Sequence, residues 1–359
     1  MLFPSPTPDF ERLRKVLLRQ GEPDRVPFIE LFADREIMEA VIGEPIPDPE
    51  QHDRELRELA LRRTIRFWYE TGYDYITVGP TLDLPRRRLF AEDTAALRRD
   101  QREWVDESAG IINSWQDFEA YPWPRPEDVD YFNLEFVSRH LPEGMKIIFL
   151  GPGGQLENIM WLMGYVPFAL ALKDDPALVE AVAQKVGELL VTIFSTAADM
   201  PNVGALWLGD DMGFKTGTMI APEDLRRYVF PWQRKLSEIA HARGLPFLLH
   251  SCGNLREIMD DLIDDVKIDA KHSFEDVIQP VTEAKKMYGD RIALLGGIDV
   301  DFLCRASEDE VRAYTRRTIE ACAPGGGWAL GTGNSVANYI PVQNYLAMLD
   351  EGRKYGIYR

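Results

Sequence analysis

The sequence predicts an α/β protein: a (β/α)8 barrel with an N-terminal helical extension and a long insertion after the second strand. Three observations predict it. Eight short apolar segments bounded by Gly, Pro, Asn or Asp read as buried strands. Segments with apolar residues at helical spacing separate them, and regular strand–helix alternation marks a parallel sheet. The 359 residues hold these units as a single domain, 1–359, above the roughly 250 residues typical of a closed barrel. A doubly wound open sheet is the alternative, and no GxGxxG follows the first strand to support it.

The elements follow in order. Pro4–Glu22 reads as an entry segment and then a helix, with Phe10, Leu13, Val16, Leu17 and Leu18 on its apolar face, Asp9 as N-cap and Gly21 as its end. RVPFIELF (Arg25–Phe32) is the first strand, and a helix from Ala33 ends at Gly43. Gln51–Thr71 is a long Arg/Glu-rich helix, and YDYITVG (Tyr73–Gly79) is strand two. The insertion from Pro80 to Glu143 contains Arg86-Arg87-Arg88, the Pro/Trp-rich YPWPRP and a hairpin pairing Trp104–Val105 with Ile111–Ile112. Surface insertions of this length serve as lids or docking faces. KIIFLG (Lys146–Gly151) is strand three, followed by helices over Gln155–Leu172 and Pro176–Asp199, the second with Pro at its first position. GALWLG (Gly204–Gly209), PFLLH (Pro246–His250), KIDAKH (Lys267–His272), RIALLG (Arg291–Gly296) and WALG (Trp328–Gly331) complete the strands. Helices over Ala221–Arg243, Asn254–Asp264, Glu275–Tyr288, Ser307–Ala323 and Pro341–Lys354 separate and close them. Ser307 and Glu310 form a capping box.

Composition narrows the function classes. The net charge is −18, which opposes nucleic-acid binding. No apolar run approaches the roughly 20 residues that span a bilayer. The N-terminal stretch lacks the order of a secretory signal, and three Cys do not make a disulfide framework, so a cytoplasmic protein without membrane attachment is expected.

Barrel chemistry collects at the C-terminal ends of the strands. Those ends carry Glu30, Asp210-Asp211, His250-Ser251-Cys252, His272, Asp299, and Thr332 with Asn334. His250 and Cys252 alternate to one side of a strand, and imidazole and thiolate are favoured zinc ligands. Glu30, Asp210, Asp211 or His272 is the third ligand. Asp210, Asp211 and His272 are also candidate acid–base groups. Glu30, Asp299, Asn334 and Trp207 are candidate substrate contacts. The plainer readings are an ion pair of Glu30 with Arg25 or Arg35, Asp210-Asp211 as a helix or loop cap, Asp299 as a cap of the turn into Val300-Asp301, and His272 as a core or second-layer histidine.

From Gly151 onward the chain resembles the uroporphyrinogen decarboxylase superfamily. The resemblance rests on Gly151-Pro152, LGDDMGFKTGTMIAPEDLRRYVFPW (Leu208–Trp232), HSCGN (His250–Asn254), LLGGIDV (Leu294–Val300) and GGGWALGTGNSV (Gly325–Val336). It implies a (β/α)8 barrel and one of two chemistries. The decarboxylases are cofactor-free and use an N-terminal segment of the type RQAGRY with an Asp ending strand two. Here those places read FIELFADRE and TVGPTLD, and GNS replaces the decarboxylase His-Gly-Ile. The second branch is zinc-dependent and corrinoid-linked, with a His-x-Cys motif and a later second Cys. His250-Ser251-Cys252 matches the first part, while the later position falls near Thr332.

The resemblance therefore implies a zinc-dependent methyltransferase working between a small methylated compound and a corrinoid protein or a thiol. His250, Cys252 and Glu30 are the implied ligand set, and a homodimer is the implied assembly. A decarboxylase of a porphyrinogen or related cyclic acid, with Arg86, Arg87, Arg88 and Arg125 binding anions, is the second reading. A silent tetrapyrrole- or corrinoid-binding barrel is the third.

Overall fold

Strand–helix alternation produces one parallel sheet. The computed structural model describes residues 6–48, 53–97, 99, 101–106 and 108–358. In chain order the strands are β1 (Tyr75–Val78), β2 (Arg88–Ala91), β3 (Arg102–Val105), β4 (Lys146–Leu150), β5 (Val203–Gly209), β6 (Phe247–His250), β7 (Ala270–His272), β8 (Ala293–Leu295) and β9 (Trp328–Ala329). Seven of them pair in the order β1-β4-β5-β6-β7-β8-β9, all parallel. Helices cover the sheet, which explains why β6 and β7 are apolar or buried at every position. The register sets the site: Gly209 pairs with His250, and His250 with His272.

The predicted first strand is corrected. Residues 25–33 form no ladder; they make isolated parallel bridges, Phe28 with Leu330 and Ala33 with Val336. Ile29 N–H donates to the Leu330 carbonyl at 2.8 Å, and Leu330 N–H to the Pro27 carbonyl at 2.9 Å. On the other side, the Tyr75 hydroxyl of β1 takes both backbone groups of Glu30, at 2.5 and 2.6 Å. The two edges of the sheet thus meet across one segment, so the sheet is curled. A hydroxyl occupies the Glu30 groups that a ladder with β1 would use, and Pro27 has no N–H to offer. The approach at this seam is close: a Cβ on Gly331 would lie 1.7 Å from the Ile29 carbonyl oxygen.

Other differences are local. The hairpin in the insertion pairs β2 with β3, Arg88 opposite Val105, and does not use Ile111–Ile112. The helix predicted from Gln155 breaks at Gly164 into Gln155–Met163 and Tyr165–Asp174. The helix predicted over Ala221–Arg243 breaks at Val229, just before Pro231, into Pro222–Tyr228 and Phe230–His241. The helix predicted at Asn254 forms only as a wide turn at Asp261–Val266. The caps at Asp9, Asp175 and Ser307 form, the last as a capping box with Glu310. Among the described residues, no helix is long and apolar enough to cross a membrane.

Candidate metal centre

Three strand ends and one loop converge. His250 ends β6, Cys252 follows in the turn, and Asp211 lies just past β5. One ligand atom from each of Asp211, His250 and Cys252 lies within 4.8 Å of the others. Cys252 Sγ is 3.5 Å from His250 Nε2, which is 3.6 Å from Asp211 Oδ1. The same carboxylate oxygen accepts the Cys252 backbone N–H at 2.7 Å, locking the loop after β5 to the turn after β6. Asn334 Nδ2 and Ser273 Oγ point at Cys252 Sγ from 3.2 and 3.4 Å.

Behind the three donors lies a histidine pair. His250 Nδ1 and His272 Nδ1 are 2.7 Å apart, and His272 Nε2 is 3.3 Å from the Thr332 carbonyl. Thr332 gives its N–H and hydroxyl to the two oxygens of Glu30, at 2.8 and 2.5 Å. Ser273 is held at φ +83°, a conformation costly for a residue with a Cβ. That turn directs its hydroxyl to the sulfur.

Residues 138–355 of the chain match the family described as Uroporphyrinogen decarboxylase (URO-D). The chain belongs to the uroporphyrinogen decarboxylase family. Among its relatives is a protein named uroporphyrinogen decarboxylase of Thioalkalivibrio sulfidiphilus, 25% identical over 52% of this chain and 51% of that one. Another is the methylcobamide:CoM methyltransferase MtaA of Methanosarcina barkeri, 27% identical over 38% of each chain. The chain thus spans about half the length, or less, of these relatives. The solved structure of a methyltransferase from Methanosarcina mazei covers 96% of this chain and 98% of its own, with a TM-score of 0.68 at 17% identity; that likeness is one of fold.

Within this family member the remaining predicted site residues take other places. Asp210 is buried, turned away from the three donors. Its oxygens accept the N–H groups of Gln155, Leu156 and Glu157 at 2.9–3.1 Å and the Gln233 amide at 2.7 Å. It therefore caps the helix Gln155–Met163, and burial pushes its carboxyl up to about 7. Glu30 pairs with Thr332 and with neither Arg25 nor Arg35, and lies outside the three-donor group; burial pushes its carboxyl up to about 8. Trp207 is fully buried with its ring edge-on to His272 at 5.3 Å, so it packs against the histidine pair. Asp299 caps the helix Val300–Arg305 through the Phe302 N–H and accepts the Asp276 N–H. It also lines a cleft of about 500 Å³, together with Phe274, Tyr339 and Asn334. Asn334 borders both that cleft and Cys252.

Sequence reasoning missed three residues that border the donors. Lys271 is buried, and its ammonium donates to the Ser273 carbonyl at 2.7 Å. Burial pulls it down to about 8. Ser273 reaches the sulfur only because of its unusual φ. Glu157 accepts the Gly154 N–H at 3.1 Å beside Asp211; burial, Asp211 and Asp210 all push its carboxyl up. Its place three residues after a glycine N-cap was the one available cue.

The donor set suits a zinc ion. It offers one imidazole nitrogen, one sulfur and one carboxylate oxygen, the mixture zinc accepts with a fourth position left open. Burial pulls His250 down to about 4, which leaves the imidazole neutral, as ligation requires. Burial and the Asp211 carboxylate push the Cys252 thiol up, so only a cation beside it makes a thiolate stable there.

Proposed function

We propose that this protein is a zinc-dependent methyltransferase of the uroporphyrinogen decarboxylase family, moving a methyl group between a small methylated compound and a corrinoid protein or a thiol. The observation that carries the reading is the convergence of Asp211, His250 and Cys252 within 4.8 Å. The name of the MtaA relative supports it. A zinc ion held there supplies positive charge that stabilises a developing alkoxide or thiolate. Asp211, His250 and Cys252 hold the ion. Asn334 and Ser273 stabilise the sulfur by donating to it. The cleft beside Asn334 admits the small substrate, and its volume lies in the range of ordinary ligand pockets. Glu157, whose carboxyl is pushed up by burial and by Asp211 and Asp210, is the candidate proton donor to a leaving group. The corrinoid partner meets the insertion, where the β2–β3 hairpin exposes Leu89, Phe90 and Trp104.

A second reading, a cofactor-free decarboxylase, is favoured by the relative of that name. The charge of the site opposes it. An acid-rich tetrapyrrole would face Asp211, Glu275 and Asp299, while the buried Lys271 is taken up by backbone carbonyls.

Elemental analysis of untagged protein tests the reading. About one zinc per chain is expected in the wild type and none in Cys252→Ser or His250→Ala. Methoxylated and methylated compounds are then screened as donors to reduced cobalamin, with methylcobalamin absorbance as the readout. Protein without zinc that releases carbon dioxide from a porphyrinogen would replace this reading with the second.

A further inference from the structure

The contacts behind His250 determine which of its nitrogens bears the proton. The Thr332 carbonyl can only accept, so His272 Nε2 must donate across their 3.3 Å contact. His272 is fully buried, its ring meets no carboxylate, and the buried Lys271 is its chain neighbour, so nothing at the ring balances a second proton. A neutral His272 with its proton on Nε2 presents a bare Nδ1. The 2.7 Å contact between the two Nδ1 atoms then requires His250 Nδ1–H to donate. A neutral His250 protonated there leaves its Nε2 lone pair free, directed at Cys252 and Asp211.

The Thr332 carbonyl is itself held in place. Glu30 grips Thr332 through both the N–H and the hydroxyl, and Glu30 in turn is gripped at both backbone groups by Tyr75 of β1. A Cβ on Gly296 would come within 2.1 Å of the Thr332 oxygen and 3.0 Å of His272 Nε2, so no side chain fits between chain and carbonyl at that point. The path runs from the seam of the curled sheet to His250 through Tyr75, Glu30, Thr332 and His272.

We propose that Glu30, Thr332 and His272 are positioning residues that lock His250 in the Nδ1–H tautomer and so prepare its Nε2 to bind the metal. Glu30 acts at a distance, as the hydrogen-bonding partner that fixes Thr332 and not as a ligand. The inference rests on the metal reading above for its purpose. Outer partners that orient a ligating histidine commonly contribute about 10–100-fold in metal affinity.

The experiment has two arms. In metal-free protein labelled with ¹⁵N-histidine, long-range ¹H–¹⁵N spectra read the tautomer directly. The expected spectrum shows His250 protonated at Nδ1 and bare at Nε2; a proton on Nε2 overturns the proposal whatever any variant does. In the second arm, zinc affinity is measured by chelator competition for Glu30→Ala, Thr332→Val and Glu30→Gln. Glutamine can repeat both hydrogen bonds to Thr332. A 10–100-fold loss in Glu30→Ala, a smaller loss in Thr332→Val and near wild-type affinity in Glu30→Gln support the proposal. Equal loss in Glu30→Ala and Glu30→Gln overturns it, because a carboxylate ligand would behave that way. Should Glu30→Ala not fold, Thr332→Val and the spectrum decide. A wild type that binds no zinc but shows the Nδ1–H tautomer defeats the methyltransferase reading alone. A wild type that binds zinc with the other tautomer defeats the positioning chain alone.

Discussion

Cys252 Sγ lies 3.2 Å from Asn334 Nδ2, so the last strand–helix loop reaches across to the candidate metal donor in the turn after the sixth strand. An amide at this place stabilises sulfur without adding charge. A thiol at the same place would be a fourth donor. Asn334→Cys, kept reduced, is therefore expected to raise zinc affinity at least about tenfold by completing a tetrahedral set with two sulfurs. Cobalt substitution checks it: the variant should gain intensity in the thiolate-to-metal charge-transfer band relative to wild type. An unchanged band would mean that residue 334 cannot reach the ion.

Asp211 accepts the Cys252 N–H and is the carboxylate donor of the proposed metal site. Asp211→Asn retains an acceptor for the N–H but removes the charge. The variant is expected to fold with a melting temperature near wild type while losing zinc by at least about tenfold, as for loss of one ligand. Metal analysis beside thermal denaturation separates the two duties.

Asp210 predicts the opposite pattern. Three helix N–H groups and the Gln233 amide converge on its carboxylate in the core. Asp210→Ala orphans them, at a cost of about 2–4 kcal/mol from the lost cap and the unsatisfied buried donors. Zinc per folded chain should remain that of wild type. Denaturant unfolding with metal analysis of the soluble fraction checks both halves; loss of zinc without loss of stability would return Asp210 to the metal site.

Glu30 predicts a pH dependence of metal-free stability. Its folded carboxyl is pushed up to about 8 by burial, from an ordinary value of 4.5. Below pH 4.5 both folded and unfolded chains hold the proton, and the contribution is fully present. Between 4.5 and 8 the unfolded chain has lost the proton while the folded one keeps it, so stability falls as pH rises, by up to about 1.4 kcal/mol per pH unit. Asp210 adds a slope of the same sign. Denaturant midpoints should therefore fall from pH 5 to pH 7.5 in wild type and fall less in Glu30→Gln. Equal slopes would place the Glu30 titration outside this window.

The seam supplies a structural prediction. A Cβ on Gly331 would overlap the Ile29 carbonyl at 1.7 Å, and backbone on both sides leaves no room to yield. Gly331→Ala is expected to destabilise the protein by several kcal/mol, as overpacking does when rotamer changes cannot relieve it. Hydrogen exchange at Ile29 and Leu330, whose N–H groups bond across this seam, should accelerate first.

Sequence by itself determined the α/β class, seven of the strands, the helix caps at Asp9 and Ser307, and the membership signalled by His250-Ser251-Cys252 and its flanking motifs. These are local properties: an apolar run bounded by turn residues, or Ser307 three residues before Glu310, carries its meaning within a few positions. Sequence also named the residues at the strand ends but could not rank them. Asp210 and Asp211 are chain neighbours with opposite fates, because one side chain meets a helix N-terminus and the other meets His250. Tertiary structure alone decided that division, and it alone brought Glu30 to Thr332 and Ser273 to Cys252. It also decided that residues 25–33 close the sheet through a tyrosine hydroxyl instead of a ladder. The reason is physical. Propensity and pattern act over one or two turns of chain, whereas a carboxylate's partner, a histidine's tautomer and an edge's closure depend on groups some 300 residues away whose positions are set only when the whole sheet curls.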